Sequence, residues 1–172
     1  MTDYRYIYSR KLKLRSTGEA CLFLVLFVLV MGVVGRIEQE PPPAIVQPVS
    51  KSRTQQQIET ILPEVYAKPI AERTAYPRTM AAIAYRETVR SGKDHTAIGD
   101  GGESRGLFQI QPKWHGPVPD EIEAQIDKAN DLFLDYVRRF GYRKAVQKWN
   151  GEGEEARAYQ HEVLALVREL ER

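Results

Sequence analysis

A chain of 172 residues has room for one compact domain plus an additional segment, and not for two independent cores. Hydrophobic residues at 42% and charged residues at 28% exclude wholesale disorder and a fibrous repeat. The formal net charge is only +2, and residues 1–19 hold five basic against two acidic side chains, so the basicity is local to the N-terminus and no nucleic-acid partner is expected.

Taken in chain order, the first feature is ACLFLVLFVLVMGVVG at 20–35, sixteen uncharged residues preceded by Arg5, Arg10, Lys11, Lys13 and Arg15. The run is short of the ~20 residues of a typical span but near the lower limit of ~17. It predicts a transmembrane helix over 20–35, with 1–19 as a basic cytoplasmic segment and the remainder extracytoplasmic. A cleaved signal peptide competes with this reading, although VVG before Arg36 is a poor cleavage pattern. A buried core helix fits less well, because no polar stripe interrupts the run. Cys21, the one cysteine, has no partner for an internal disulfide and reads as a small hydrophobe within the run. Residues 36–53 form a proline-rich linker, since Pro41, Pro42 and Pro43 forbid a continuous helix and favour an extended spacer. The folded domain is expected over 54–172.

Within it, Ile58, Ile61, Leu62 and Val65 recur at helical spacing and predict a first helix over 54–66, with Pro63 testing its continuity. A second helix starts after Pro77, places Met80, Ile83 and Ala84 inward, and stops before Gly92. Glu87 falls in its final turns. Between Asp94 and Gly106 four glycines argue for a loop or a short irregular hairpin. Pro117, Pro119 and Asp120 introduce a long helix through Ile122, Phe133 and Phe140, closed by Gly141. Two further helices follow over 142–149 and 154–171, the last with Tyr159, Val163, Val167 and Leu170 on one face. Without strand–helix alternation or an internal repeat, the expected class is mostly α with a small irregular or β region.

Four stretches stand out along this scaffold: RET at 86–88, GDGGESRGLFQIQP at 99–112, AVQKWNG at 145–151 and EARAY at 155–159. In order and spacing they resemble the motifs of the soluble lytic transglycosylase and goose-type lysozyme superfamily. The resemblance covers roughly residues 56–170 and implies a lysozyme-like single catalytic domain acting on peptidoglycan. It implies that Glu87 is the acid/base and that Gly106 to Ile110 line and brace the cleft, with Gln109 touching sugar or positioning the glutamate's surroundings. Trp149 stands where the family has tyrosine, Asn150 matches a cleft asparagine, and Tyr159 matches a tyrosine beside the carboxyl. Thr88 replaces the usual serine and keeps a hydroxyl for substrate. The aspartate thirteen positions after the glutamate is matched by Asp100, but the second goose-type aspartate is replaced by Gln111.

The chemistry asks for the same residues. A glycosidic oxygen is a poor leaving group, and a carboxylic acid protonates it usefully only when its pKa is raised towards the working pH. Near a helix C-terminus, beside Ile83, Ala84 and Tyr85, Glu87 is a candidate for such desolvation. A hydrolase needs a second carboxylate, roughly 6.5–9.5 Å away if inverting and nearer if retaining. Asp100 is the candidate, with turn capping as its other role. The resemblance implies a route without water, in which the muramyl N-acetyl group assists and the 6-hydroxyl closes a 1,6-anhydro product. Lytic transglycosylation is the favoured expectation, hydrolysis by a goose-type-like lysozyme the alternative, and a non-catalytic peptidoglycan-binding scaffold the rival from another class. Trp114, Tyr136, Trp149 and Tyr159 are candidate sugar-stacking surface, with core packing as their other role, and Glu103 is a candidate cleft carboxylate. His95, His115 and His161 lack a metal spacing, so no metal and no cofactor are expected. The expected partners are peptidoglycan glycan strands and, through the N-terminal span, a membrane complex of a phage or of a cell-wall-crossing machine. The implied location is a single-pass protein of a bacterial or viral membrane.

Overall fold

A computed structural model describes residues 50–172. Ser52 caps the first helix, its Oγ accepting from the Gln55 amide at 3.1 Å, and α1 runs over Arg53–Ile58. The helix expected over 54–66, whose continuity Pro63 left open, is interrupted. The chain leaves helical geometry after Ile58, and Pro63, extended at φ −54° and ψ 147°, starts a separate α2 over Glu64–Arg73. Ile58 and Leu62 remain buried, whereas Val65 is 55% exposed. Pro69 lies one helical turn after Val65 on the same outer side, where water can satisfy the carbonyl that a proline leaves without a donor.

Proline at the first position of α3, Pro77–Glu87, supplies helical φ and lacks only an amide that has no partner there. Thr79 to Ala84 are all buried, so this helix is covered on every side. The helix expected to run on to Gly92 ends earlier, because Thr88 at φ −133° and ψ −61° leaves the helical path, and a separate 3₁₀ turn over Val89–Ser91 ends at Gly92, where φ is +74°. The glycine-rich region forms two short antiparallel strands, β1 Ile98–Gly99 and β2 Ser104–Arg105, with Ile98 opposite Arg105 and Gly99 opposite Ser104. Then come α4 Pro112–His115, α5 Ile122–Phe140, α6 Tyr142–Asn150 and α7 Glu154–Leu170. α7 packs against α3 and α6, α6 against α5, and α2 against α3 and α5. Met80, Ile83, Phe108, Ile126, Phe133, Val146 and Val163 belong to a single core cluster. A mostly helical domain with a two-stranded β region agrees with the class expected from the pattern.

The membrane expectation is corrected. Among the described residues no helix is long and apolar enough to cross a membrane. The run 20–35 on which a transmembrane helix was expected lies outside the described residues, as do the basic segment 1–19 and most of the linker. The single-pass topology, the location drawn from it and a membrane-complex partner therefore have no helix among the described residues to rest on.

Candidate active site

An open groove of about 440 Å³ lies where the C-terminal end of α3 meets the glycine-rich hairpin and the α5–α6 pair. Of the residues singled out in the sequence, Glu87, Asp100, Gln109, Trp149 and Asn150 all line it. Thr88 and Tyr159 do not. Both are buried, at 0% and 2% exposure, and they lie behind the lining.

Glu87 is the last residue of α3 and is partly buried. Its carboxyl is held above the ordinary glutamate range, chiefly because the surrounding protein desolvates the ionised form, and Asp100 raises it further by charge repulsion. A hydrogen-bonding interaction with Tyr159 and the nearby Arg86 cation act in the opposite direction without reversing it. The Tyr159 hydroxyl has no hydrogen bond of ordinary geometry among the described residues. It nevertheless stands near enough to Glu87 to couple with it, and burial followed by the Glu87 charge pushes the phenol well above its usual value. Behind the pair, the Arg86 guanidinium lies 5.3 Å from the Tyr159 ring centroid and its Nε donates to Glu162 at 2.6 Å.

The opposite wall is built by hydrogen bonds. Thr88 Oγ1 donates to the Leu107 carbonyl at 2.8 Å, tying the end of α3 to the GLFQI segment. The expected contact between Thr88 and substrate is thereby corrected, since its only polar atom is turned into the protein. Gln109, left-handed at φ +48°, donates from Nε2 to the Gly106 carbonyl at 2.8 Å and accepts from Ser104 Oγ at 2.9 Å. Its amide is committed to bracing the wall. A Cβ at Gly99 would collide with Gln109 Oε1 and Ser104 Oγ, and one at Gly106, where φ is +80°, would meet Gln125 Oε1 at 2.5 Å. Gly106 is required by its backbone as well as by the close approach, and a side chain at Gly99 would displace the Gln109 amide from Ser104. Asp100, also left-handed at φ +49°, sits on the exposed turn after β1 and faces the groove.

Sequence reasoning missed the principal brace of this wall. Gln125 is 2% exposed; its Oε1 accepts from the Leu107 amide at 2.8 Å, and its Nε2 donates to the carbonyls of His95 at 3.0 Å and Pro119 at 2.9 Å. The usable signal was a glutamine on the apolar face of α5, next to the buried Ile126. His115 was also missed. It lines the groove, contacts Tyr136 with ring centroids 6.4 Å apart, and is held below its ordinary value by burial and then by Lys128. Tyr136 and Trp149 meet edge to face at 6.4 Å, and both line the groove, as does Trp114 at 67% exposure. Glu103, by contrast, lies in a separate depression with Arg105 and Lys113.

The arrangement offers one desolvated acid, a second carboxylate on the facing loop, and a floor of aromatic rings and amides. Among the described residues no group of three or more histidine, cysteine, aspartate or glutamate side chains is arranged to hold a metal ion. Comparison with protein-family models, curated proteins and solved structures finds no match to the chain.

Proposed function

We propose that this groove cleaves the β-1,4 bond between N-acetylmuramic acid and N-acetylglucosamine in peptidoglycan, acting as a lytic transglycosylase of the superfamily that the four motifs resemble. The observation that carries the reading is Glu87: a carboxylic acid whose affinity for its proton is raised by burial, beside a buried phenol, lining an open groove. Aromatic rings and amides along the groove suit sugar rings, whose faces are apolar and whose rims carry hydroxyls.

In the first step the Glu87 proton passes to the glycosidic oxygen as the bond from the muramyl anomeric carbon to that oxygen breaks. The muramyl N-acetyl oxygen bonds to the anomeric carbon from the other face. The Glu87 carboxylate then takes the proton of the muramyl 6-hydroxyl, whose oxygen displaces the acetamido oxygen and closes the 1,6-anhydro ring. Glu87 ends protonated, and no water is consumed. The nucleophile is part of the substrate, so its delivery has little entropic cost and a single carboxyl can serve as acid and then base.

Hydrolysis is the second reading, favoured by Asp100 lining the same groove and acting electrostatically on Glu87. Mass analysis of the products from purified sacculi separates the two. Transglycosylation leaves anhydromuramyl ends; reducing ends carrying oxygen from labelled water mean hydrolysis. Intact sacculi after prolonged incubation with the wild-type chain would defeat both.

A further inference from the structure

The segment RRFGYRKAVQK at 138–148 holds five basic side chains and no acidic one, although the described residues as a whole carry equal numbers of each. It forms the corner between α5 and α6, next to the aromatic end of the groove. Phe140 is 40% exposed at this corner, with the Arg139 guanidinium 5.1 Å and the Lys148 ammonium 5.2 Å from its ring centroid. Lys144 lies one helical turn before Lys148 on α6, so its Cβ is on the same side. The corner is continuous with the groove, because Tyr136 and Lys148 line the groove and both touch Phe140, Tyr136 with ring centroids 6.4 Å apart.

The charges there are available. Arg139 pairs with Asp135 in an exposed contact that a ligand carboxylate can replace at small cost, and half-buried Lys148 pairs with the exposed Glu152. Lys144 makes no ion pair among the described residues and donates only to Gln147 Oε1, at 3.0 Å. An exposed ring between cations matches a sugar face with negative groups beside it. The Asp100 carboxylate stands at the catalytic end of the groove, so an anionic chain would be oriented with its charged substituents towards this corner.

The geometry points to Arg139, Phe140, Lys144 and Lys148 as an extension of the groove that holds the carboxylate-bearing part of a glycan strand several sugars from the scissile bond. The assignment rests on the peptidoglycan reading above and adds the charge class of the ligand and its direction. Surface attraction of this kind is screened by salt.

The test is co-sedimentation of the full chain carrying Glu87→Gln with purified sacculi, either native or with their carboxyls amidated. The same measurement is made on a chain that also carries Arg139→Gln and Lys144→Gln. Loss of two exposed ionic contacts is expected to weaken binding to native sacculi about fivefold at low salt. Amidated sacculi should bind both proteins alike, at the weaker level, and high salt should erase the difference. The basic N-terminal residues are common to both proteins and cancel. Phe140→Ala should weaken binding to native and amidated sacculi equally. Unchanged binding in the double variant, or an equal loss on amidated sacculi, overturns the patch while leaving the enzyme reading intact. Failure of the Glu87→Gln chain to sediment with any sacculi overturns both.

Discussion

The two walls of the groove are held by different forces. Glu87 stands on the wall formed by α3, α6 and α7, where Met80, Ile83, Val146, Tyr159 and Val163 pack as core. Asp100 stands on the hairpin wall, whose strands are two residues long and whose shape depends on amides and hydroxyls from Thr88, Ser104, Gln109 and Gln125. The apolar wall sets how readily the acid loses its proton. The polar wall sets the position of whatever faces it. Conservative changes at Glu87 and Tyr159 should therefore change protonation at little structural cost, and loss of a bracing side chain on the second wall should change structure before chemistry.

The largest effect belongs to Glu87→Gln. It removes the proton donor of the proposed mechanism, and release of soluble muropeptides from sacculi should fall about 10³-fold. The same change should stabilise the fold at neutral pH. Burial raises the native carboxyl above its unfolded value, so the native state binds the proton more tightly, and stability declines as pH rises from the ordinary glutamate range through the raised value. The amide carries no such cost. Urea midpoints should coincide for variant and wild type in mild acid and favour the variant at neutral pH; a variant that is less stable throughout would contradict the burial argument.

On the other wall, Gln125→Ala strands the buried Leu107 amide and releases the carbonyls of His95 and Pro119. The expected loss is about 3 kcal/mol in chemical denaturation, with faster amide exchange across residues 94–111. Thr88→Val keeps the volume and removes one buried donor, at a cost of about 1–2 kcal/mol. Because the Thr88 hydroxyl is turned away from the groove, affinity for short glycan fragments should not change in this variant beyond what the loss of stability explains. Calorimetric titration with a chitooligosaccharide checks this.

The same division explains what the sequence disclosed. Apolar periodicity marked α3, α5 and α7, and the start of α3 and the end of α5 were marked too, because proline at 77 and glycine at 141 act locally. The α1–α2 break escaped it: Ile58, Ile61, Leu62 and Val65 keep helical spacing across a turn that Pro63 imposes, and Pro69 hid a helix that tolerates it on an outer face. In the site, the motif residues Glu87, Asp100, Gln109, Trp149 and Asn150 converge on one groove. The place of Gln125 on the apolar face of α5 was legible but its partners were not, because they are backbone groups eighteen to thirty residues away, a relation with no period. Thr88 was misassigned because a hydroxyl beside an acid looks the same in sequence whichever way it points.

The smallest effect tests the comparison most directly, because it crosses from one wall to the other. Asp100 acts on Glu87 through its charge, raising the Glu87 carboxyl, so Asp100→Asn should lower that value and move the alkaline limb of the activity profile to lower pH. Asparagine accepts the left-handed backbone at this position, so the hairpin should keep its shape. Tyr159→Phe should move the same limb the other way, since the phenol favours the ionised carboxyl, and its stability should stay within about 1 kcal/mol because the hydroxyl has no conventional partner to lose. Opposite shifts from residues on opposite walls would place both controls on one proton. The height of the profile then separates the two chemistries. With a nucleophile carried by the substrate, Asp100→Asn should lower the optimum rate by less than about fivefold, whereas a carboxylate that activates water would cost about 10²-fold or more.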